Sequence, residues 1–86
     1  MSDCDDLLSL ARRNPRGLRF KEALTLAECW GFRQRRSKGG TSHCVYKRDG
    51  FFGLLNFQPD KNGMAKRFQV DQLVKAIDQL IEEGVS

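Results

Sequence analysis

Val70, Leu73, Val74, Ile77, Leu80 and Ile81 recur at intervals of three and four, so they line one side of any helix that carries them. Asp71, Lys75, Asp78 and Glu82 fall elsewhere on the same wheel, and Gly84 ends the run. Such a stripe must be covered, because each large aliphatic side chain left in water forfeits about 1.5–3 kcal/mol. With 86 residues the chain has room for one core and not two, so the cover comes from the same small domain.

The rest of the chain supplies it. Leu7, Leu8, Leu10 and Ala11 suggest a leading helix over residues 4–14, closed by Asn14-Pro15-Arg16-Gly17. From Arg19, the spacing of Phe20, Ala23, Leu24 and Ala27 predicts a second helix, with Gly31 as its left-handed cap. Alternation then replaces the helical period. Phe32–Arg36 reads as a strand, Ser37-Lys38-Gly39-Gly40 as a turn, Ser42–Arg48 as a second strand, and Phe51–Gln58 as a third, broken by Pro59-Asp60-Lys61-Asn62-Gly63. There is no repeat and no linker. The expected fold is α+β, with two helices on one face of a three-stranded antiparallel sheet. Residues 1–17 are an N-terminal helical extension and residues 18–86 the domain proper, a single domain overall. The second sheet face is left uncovered.

Asp49-Gly50 is the strongest short-range hairpin signal in the chain. If these two residues form the whole loop, Cys44 faces Leu55 and Tyr46 faces Gly53 on the helix-covered side. His43 then faces Asn56, Val45 faces Leu54 and Lys47 faces Phe52 on the uncovered side.

Composition places the chain among soluble proteins: 40% of residues are hydrophobic and 30% charged. No apolar run approaches the ~18 residues that cross a bilayer, so no membrane partner is expected. The acidic start Met1-Ser2-Asp3-Cys4-Asp5-Asp6 is unlike a secretory leader and points to the cytoplasm. Three cysteines, Cys4, Cys29 and Cys44, with one histidine and no Cys-x-x-Cys pair do not make a zinc site. The odd number argues against a disulfide framework and predicts buried, reduced thiols. No cofactor is expected.

The net charge of +4 is unevenly spread. Residues 1–30 are neutral overall and residues 70–86 sum to −3, whereas residues 31–48 hold Arg33, Arg35, Arg36, Lys38, Lys47 and Arg48 and no acid. That is the footprint of a polyanion binder. His43 lies beside this run, where neighbouring cations disfavour its charged form and leave it free to accept a proton. A neutral imidazole beside fixed positive charge is what metal-free RNA cleavage uses: a base for the ribose 2′-hydroxyl and cations for the phosphorane. Asp49 and Asp60 both fall in turns rather than in a Mg²⁺-binding cluster.

Gly40-Thr41-Ser42-His43, after a helix ending in Trp30-Gly31-Phe32 and a basic strand, resembles the HicA family of prokaryotic toxins. The stretch Leu55-Asn56-Phe57-Gln58-Pro59-Asp60-Lys61-Asn62-Gly63-Met64-Ala65-Lys66 is similar to the strand-to-helix connection of one subgroup of that family. The resemblance spans roughly residues 14–83. It implies a double-stranded-RNA-binding-like α-β-β-β-α fold, mRNA-cleaving endoribonuclease activity, and inhibition by a HicB-like antitoxin protein. By position the family's catalytic histidine falls on His43 and its turn glycine on Gly40. Thr41 stands where serine is more frequent, and the leading helix exceeds the minimal family domain. The candidate RNA contacts are then Arg33, Arg35, Arg36, Lys38, Gly40, Thr41, Ser42 and Asn56, with His43 as general base and Asn56 either orienting it or binding the phosphate.

Competing readings use the same residues. A non-catalytic RNA- or DNA-binding module needs only the phosphate contacts, and a degenerate enzyme would bind the antitoxin without cutting. Phe20, Trp30, Phe32 and Phe57 read as core; Phe51 and Phe52 flank the turn and could pack at its edge or stack on bases. Val45 and Leu54, apolar on the uncovered face, suit a covering partner.

Overall fold

The structure, a computed structural model, describes residues 4–35, 44–51 and 53–84. Its elements run α1 (Cys4–Arg13), a single 3-10 turn (Pro15–Gly17), α2 (Phe20–Cys29), β1 (Arg33–Arg35), β2 (Cys44–Lys47), β3 (Leu55–Phe57) and α3 (Arg67–Glu82). The architecture is α+β, with a three-stranded antiparallel sheet in the order β1-β2-β3.

Charges suit the first helix to its place: Asp5 and Asp6 sit in the first turn of α1 and Arg12 and Arg13 in its last, each complementing the helix dipole. Pro15, which lacks an amide proton, stops it. At the start of α2 the Glu22 carboxylate accepts a hydrogen bond from the Arg19 amide at 3.0 Å. At its end Gly31 turns the chain with φ 86°, and the Arg48 guanidinium donates to the Trp30 carbonyl. A cation there also opposes the negative end of the dipole.

The core lies between the helices and one sheet face. Val70, Leu73, Ala76, Ile77 and Leu80 of α3 are buried with Ala23, Leu26 and Ala27 of α2 and Phe32, Tyr46, Leu55 and Phe57 of the sheet. The Tyr46 and Phe57 rings meet edge to face, centroids 5.6 Å apart. Ile81, expected in the stripe, is 46% exposed. It stands about a quarter-turn from the line through Leu73 and Leu80, at the rim rather than over the core. Gln69 is buried on α3, and its Oε1 accepts the Gln58 amide proton at 2.8 Å, which satisfies both groups.

The N-terminal extension contributes to the core: Leu7 and Ala11 are buried, α1 packs on α2 and α3, and Arg12 reaches Asp78 at 2.5 Å. Two sequence expectations are corrected. First, Cys4 and Cys29 form a disulfide, Cα atoms 6.0 Å apart, and Cys29 is exposed. Only Cys44 is a free thiol, and it is half-buried. The helices run antiparallel about the Pro15–Gly17 turn, which brings the first residue of α1 to the last residue of α2.

Second, Asp49-Gly50 is not the whole hairpin loop. Asp49 keeps a negative φ while Gly50 has φ 86°, whereas the type I′ turn that joins strands directly needs positive φ at both. The turn closes from the Phe51 amide to the Arg48 carbonyl at 3.2 Å, and the Phe51 ring folds onto Phe32, centroids 5.4 Å apart. Among the described residues pairing resumes at Leu55, and Phe51, Gly53 and Leu54, expected in the third strand, lie outside it. The register is Cys44 with Phe57, Val45 with Asn56 and Tyr46 with Leu55. Asn56 therefore lies opposite Val45 and not His43. The shift is two residues, which preserves the faces of Cys44, Val45, Tyr46, Leu55 and Asn56.

Candidate nucleic-acid interface

Pairing of β1 with β2 sets Arg33 against Lys47, Gln34 against Tyr46 and Arg35 against Val45. Residues directly opposite share a face. Arg33, Arg35, Val45, Lys47 and Asn56 therefore occupy the sheet face away from the helices, in two rows: Arg33–Lys47, and Arg35–Val45–Asn56. All are exposed except Val45, which is half-buried. Leu54, just before β3, is 48% exposed.

Arg33 beside Lys47 is a like-charge pair directly across a ladder, an arrangement that costs stability. Nothing nearby neutralises it: the ion pairs among the described residues are Arg12–Asp78 and Arg67–Asp71, and neither lies on this face. Among the described residues the one hydrogen bond of the Arg33 guanidinium is a long 3.5 Å approach to its neighbour's carbonyl, Phe32. Asp60 is occupied elsewhere, its Oδ1 accepting the Asn62 and Met64 amides at 2.8 and 2.9 Å. Three unneutralised cations on a flat, exposed surface attract phosphates and position them through charge-assisted hydrogen bonds.

On the other side of the same strand Tyr46 is buried. Burial, reinforced by the Glu28 carboxylate and the Cys44 thiol, raises its phenol above the ordinary tyrosine value. It stays protonated and serves the core.

Of the residues singled out by sequence, the structure brings Arg33, Arg35 and Asn56 onto one face. His43, Arg36, Lys38, Gly40, Thr41 and Ser42 lie outside the described residues, as does Phe52. Lys47, not singled out from the sequence as a site residue, joins this face through its pairing with Arg33, which the sequence did not make readable. Arg48, counted in the basic run, is withdrawn from the face to cap α2. Comparison with protein-family models, curated proteins and solved structures finds no match to this chain.

Proposed function

We propose that the chain is an endoribonuclease that cleaves mRNA without a metal ion, the toxin of a HicA-type pair neutralised by a HicB-like antitoxin, working on a double-stranded-RNA-binding-like scaffold. The observation that carries this reading is the acid-free face of Arg33, Arg35 and Lys47, whose strands β1 and β2 flank the segment holding Gly40-Thr41-Ser42-His43. Phosphates held by Arg33, Arg35, Arg36, Lys38 and Lys47 keep the RNA on the sheet. His43 removes the 2′-hydroxyl proton, the 2′ oxygen attacks the adjacent phosphorus, and the P–O5′ bond breaks as the 5′ oxygen takes a proton from solvent water, giving a 2′,3′-cyclic phosphate and a 5′-hydroxyl. The cations stabilise the charge of the phosphorane. Asn56, paired with Val45 on the same face, contacts the RNA phosphate or orients the imidazole. An acidic antitoxin surface would complement the cations and cover Val45 and Leu54.

The test is digestion of RNA in EDTA by wild type and His43→Ala, with end-group analysis. Cyclic phosphate ends from wild type and intact RNA from the variant are the expected result. Loss of cutting in EDTA, or full cutting by His43→Ala, overturns the mechanism. Salt-sensitive binding with RNA left intact would instead make the chain a non-catalytic binding module.

A further inference from the structure

We propose that the groove between the free edge of β3 and α3 receives the unpaired bases of a single-stranded RNA whose phosphates lie on the cationic sheet face, an inference that rests on reading that face as an RNA surface. Strand order leaves β3 at an edge, and a cleft of about 360 Å³ separates it from α3. Phe51, Leu54, Asn56, Gln72, Lys75 and Gln79 line it.

The lining has a particular chemistry. Asn56, Gln72 and Gln79 are carboxamides, and each both donates and accepts hydrogen bonds. Unstacked bases present that mixture along their Watson–Crick edges. Lys75 adds one cation, and no carboxylate is among the described residues lining the cleft. Two of the three acids of α3 are paired elsewhere: Asp71 faces Arg67 and Asp78 faces Arg12. Gln79 Nε2 reaches Glu83 at 3.4 Å, which leaves its oxygen to accept. Leu54 and Phe51 give an apolar floor on which base faces lie.

An added peptide strand fits less well. β3 is three residues long, and the next amide, Gln58, is already bonded to Gln69. The edge thus offers too short a run of backbone groups for strand addition. Side-chain readout of a flexible polymer needs no such run.

The groove also opens where the phosphates would lie. Arg35, Val45 and Asn56 stand in one row across the three strands, and Asn56 belongs to both surfaces. Two strand spacings are about 10 Å, the rise of about three stacked nucleotides. A strand anchored at Arg33 and Arg35 reaches the groove within a few nucleotides.

Binding of 2′-O-methyl RNA 12-mers, which cannot be cleaved through the 2′ oxygen, tests this with the full chain. The probes are homopolymers of each base, read by fluorescence anisotropy over a salt series. Gln72, Lys75 and Gln79 are exposed, so substitution leaves the core intact. Lys75→Gln is expected to weaken binding about tenfold, the worth of one charge-assisted hydrogen bond, and to reduce the salt slope by about 0.7. Gln72→Ala with Gln79→Ala is expected to level the preference among the four homopolymers without altering that slope. Arg35→Gln should weaken all four alike. If the groove variants bind like wild type while Arg35→Gln does not, the groove is refuted and the sheet face stands. Failure of wild type to bind any probe refutes both.

Discussion

Reducing the Cys4–Cys29 bond should cost the protein a large share of its stability while leaving its native architecture in place. The bond spans a sequence separation of 25 residues. Loop-closure entropy for a segment of that length corresponds to about 3.5 kcal/mol at 25 °C, acting through the unfolded chain. A chain of 86 residues has a total stability of roughly 4–13 kcal/mol. At about 2.1 cal/mol/K per residue, the unfolding entropy is about 0.18 kcal/mol/K, so the melting temperature should fall by about 20 °C. The helix itself stays docked, because Leu7 and Ala11 are buried and Arg12 holds Asp78.

Urea unfolding followed by Trp30 fluorescence, with and without dithiothreitol, measures this. Trp30 is half-buried against the core beside Cys29. Because Cys29 is exposed, the reductant reaches the bond without unfolding. Thiol titration after denaturation should count one free cysteine in untreated protein, Cys44, and three after reduction. Cys29→Ser should match the reduced protein, and Cys44→Ser should retain the full response to dithiothreitol. An unchanged midpoint, in protein whose titration proves the bond was present and then cut, would refute the entropic account.

Three other outcomes follow from the fold. Lys47→Gln should raise stability by about 0.2–1 kcal/mol by relieving the contact with Arg33 and weaken RNA binding, so urea midpoint and affinity move in opposite directions; a variant that loses both counts against the interface. Gln69→Leu should cost about 1–3 kcal/mol in urea unfolding, since the Gln58 amide loses its acceptor; no loss would mean that water replaces the bond. Tyr46 binds its proton more tightly when folded, so the stability it contributes is whole below the ordinary tyrosine value and lost as pH rises through the raised one; Tyr46→Phe should therefore show a shallower alkaline loss in unfolding midpoint than wild type.

Helices were the legible part of this chain. Periodic burial fixes them locally: the boundaries of α2 and α3 follow from Phe20–Ala27 and Val70–Leu80, with Gly31 and Gly84 at their ends, both at positive φ. Tertiary choices were not local. At Arg48–Phe51 the Asp-Gly pair favours a direct hairpin, but Phe51 gains more by lying against Phe32, and the ladder starts late. The disulfide was hidden by counting cysteines when their placement mattered. Cys4 and Cys29 lie almost symmetrically about the Pro15–Gly17 turn, where an antiparallel helix pair brings them together.

For the interface, sequence located the charge but not its arrangement. Six cations in a row of eighteen residues read as one basic run, yet they serve different ends. Arg48 closes α2. Arg33 and Lys47, fourteen residues apart, become neighbours only through the β1–β2 register, which the Ser37-Lys38-Gly39-Gly40 turn signal does not by itself fix. The proposed RNA surface rests on that pairing. Exposed cations scattered over a face repel little across water, whereas two set directly opposite on a ladder oppose folding. A third, Arg35, stands beside them, and no described carboxylate offsets any of the three. A ligand bearing closely spaced negative charges removes that repulsion on binding, so the energy withheld from folding reappears as affinity for a polyphosphate backbone.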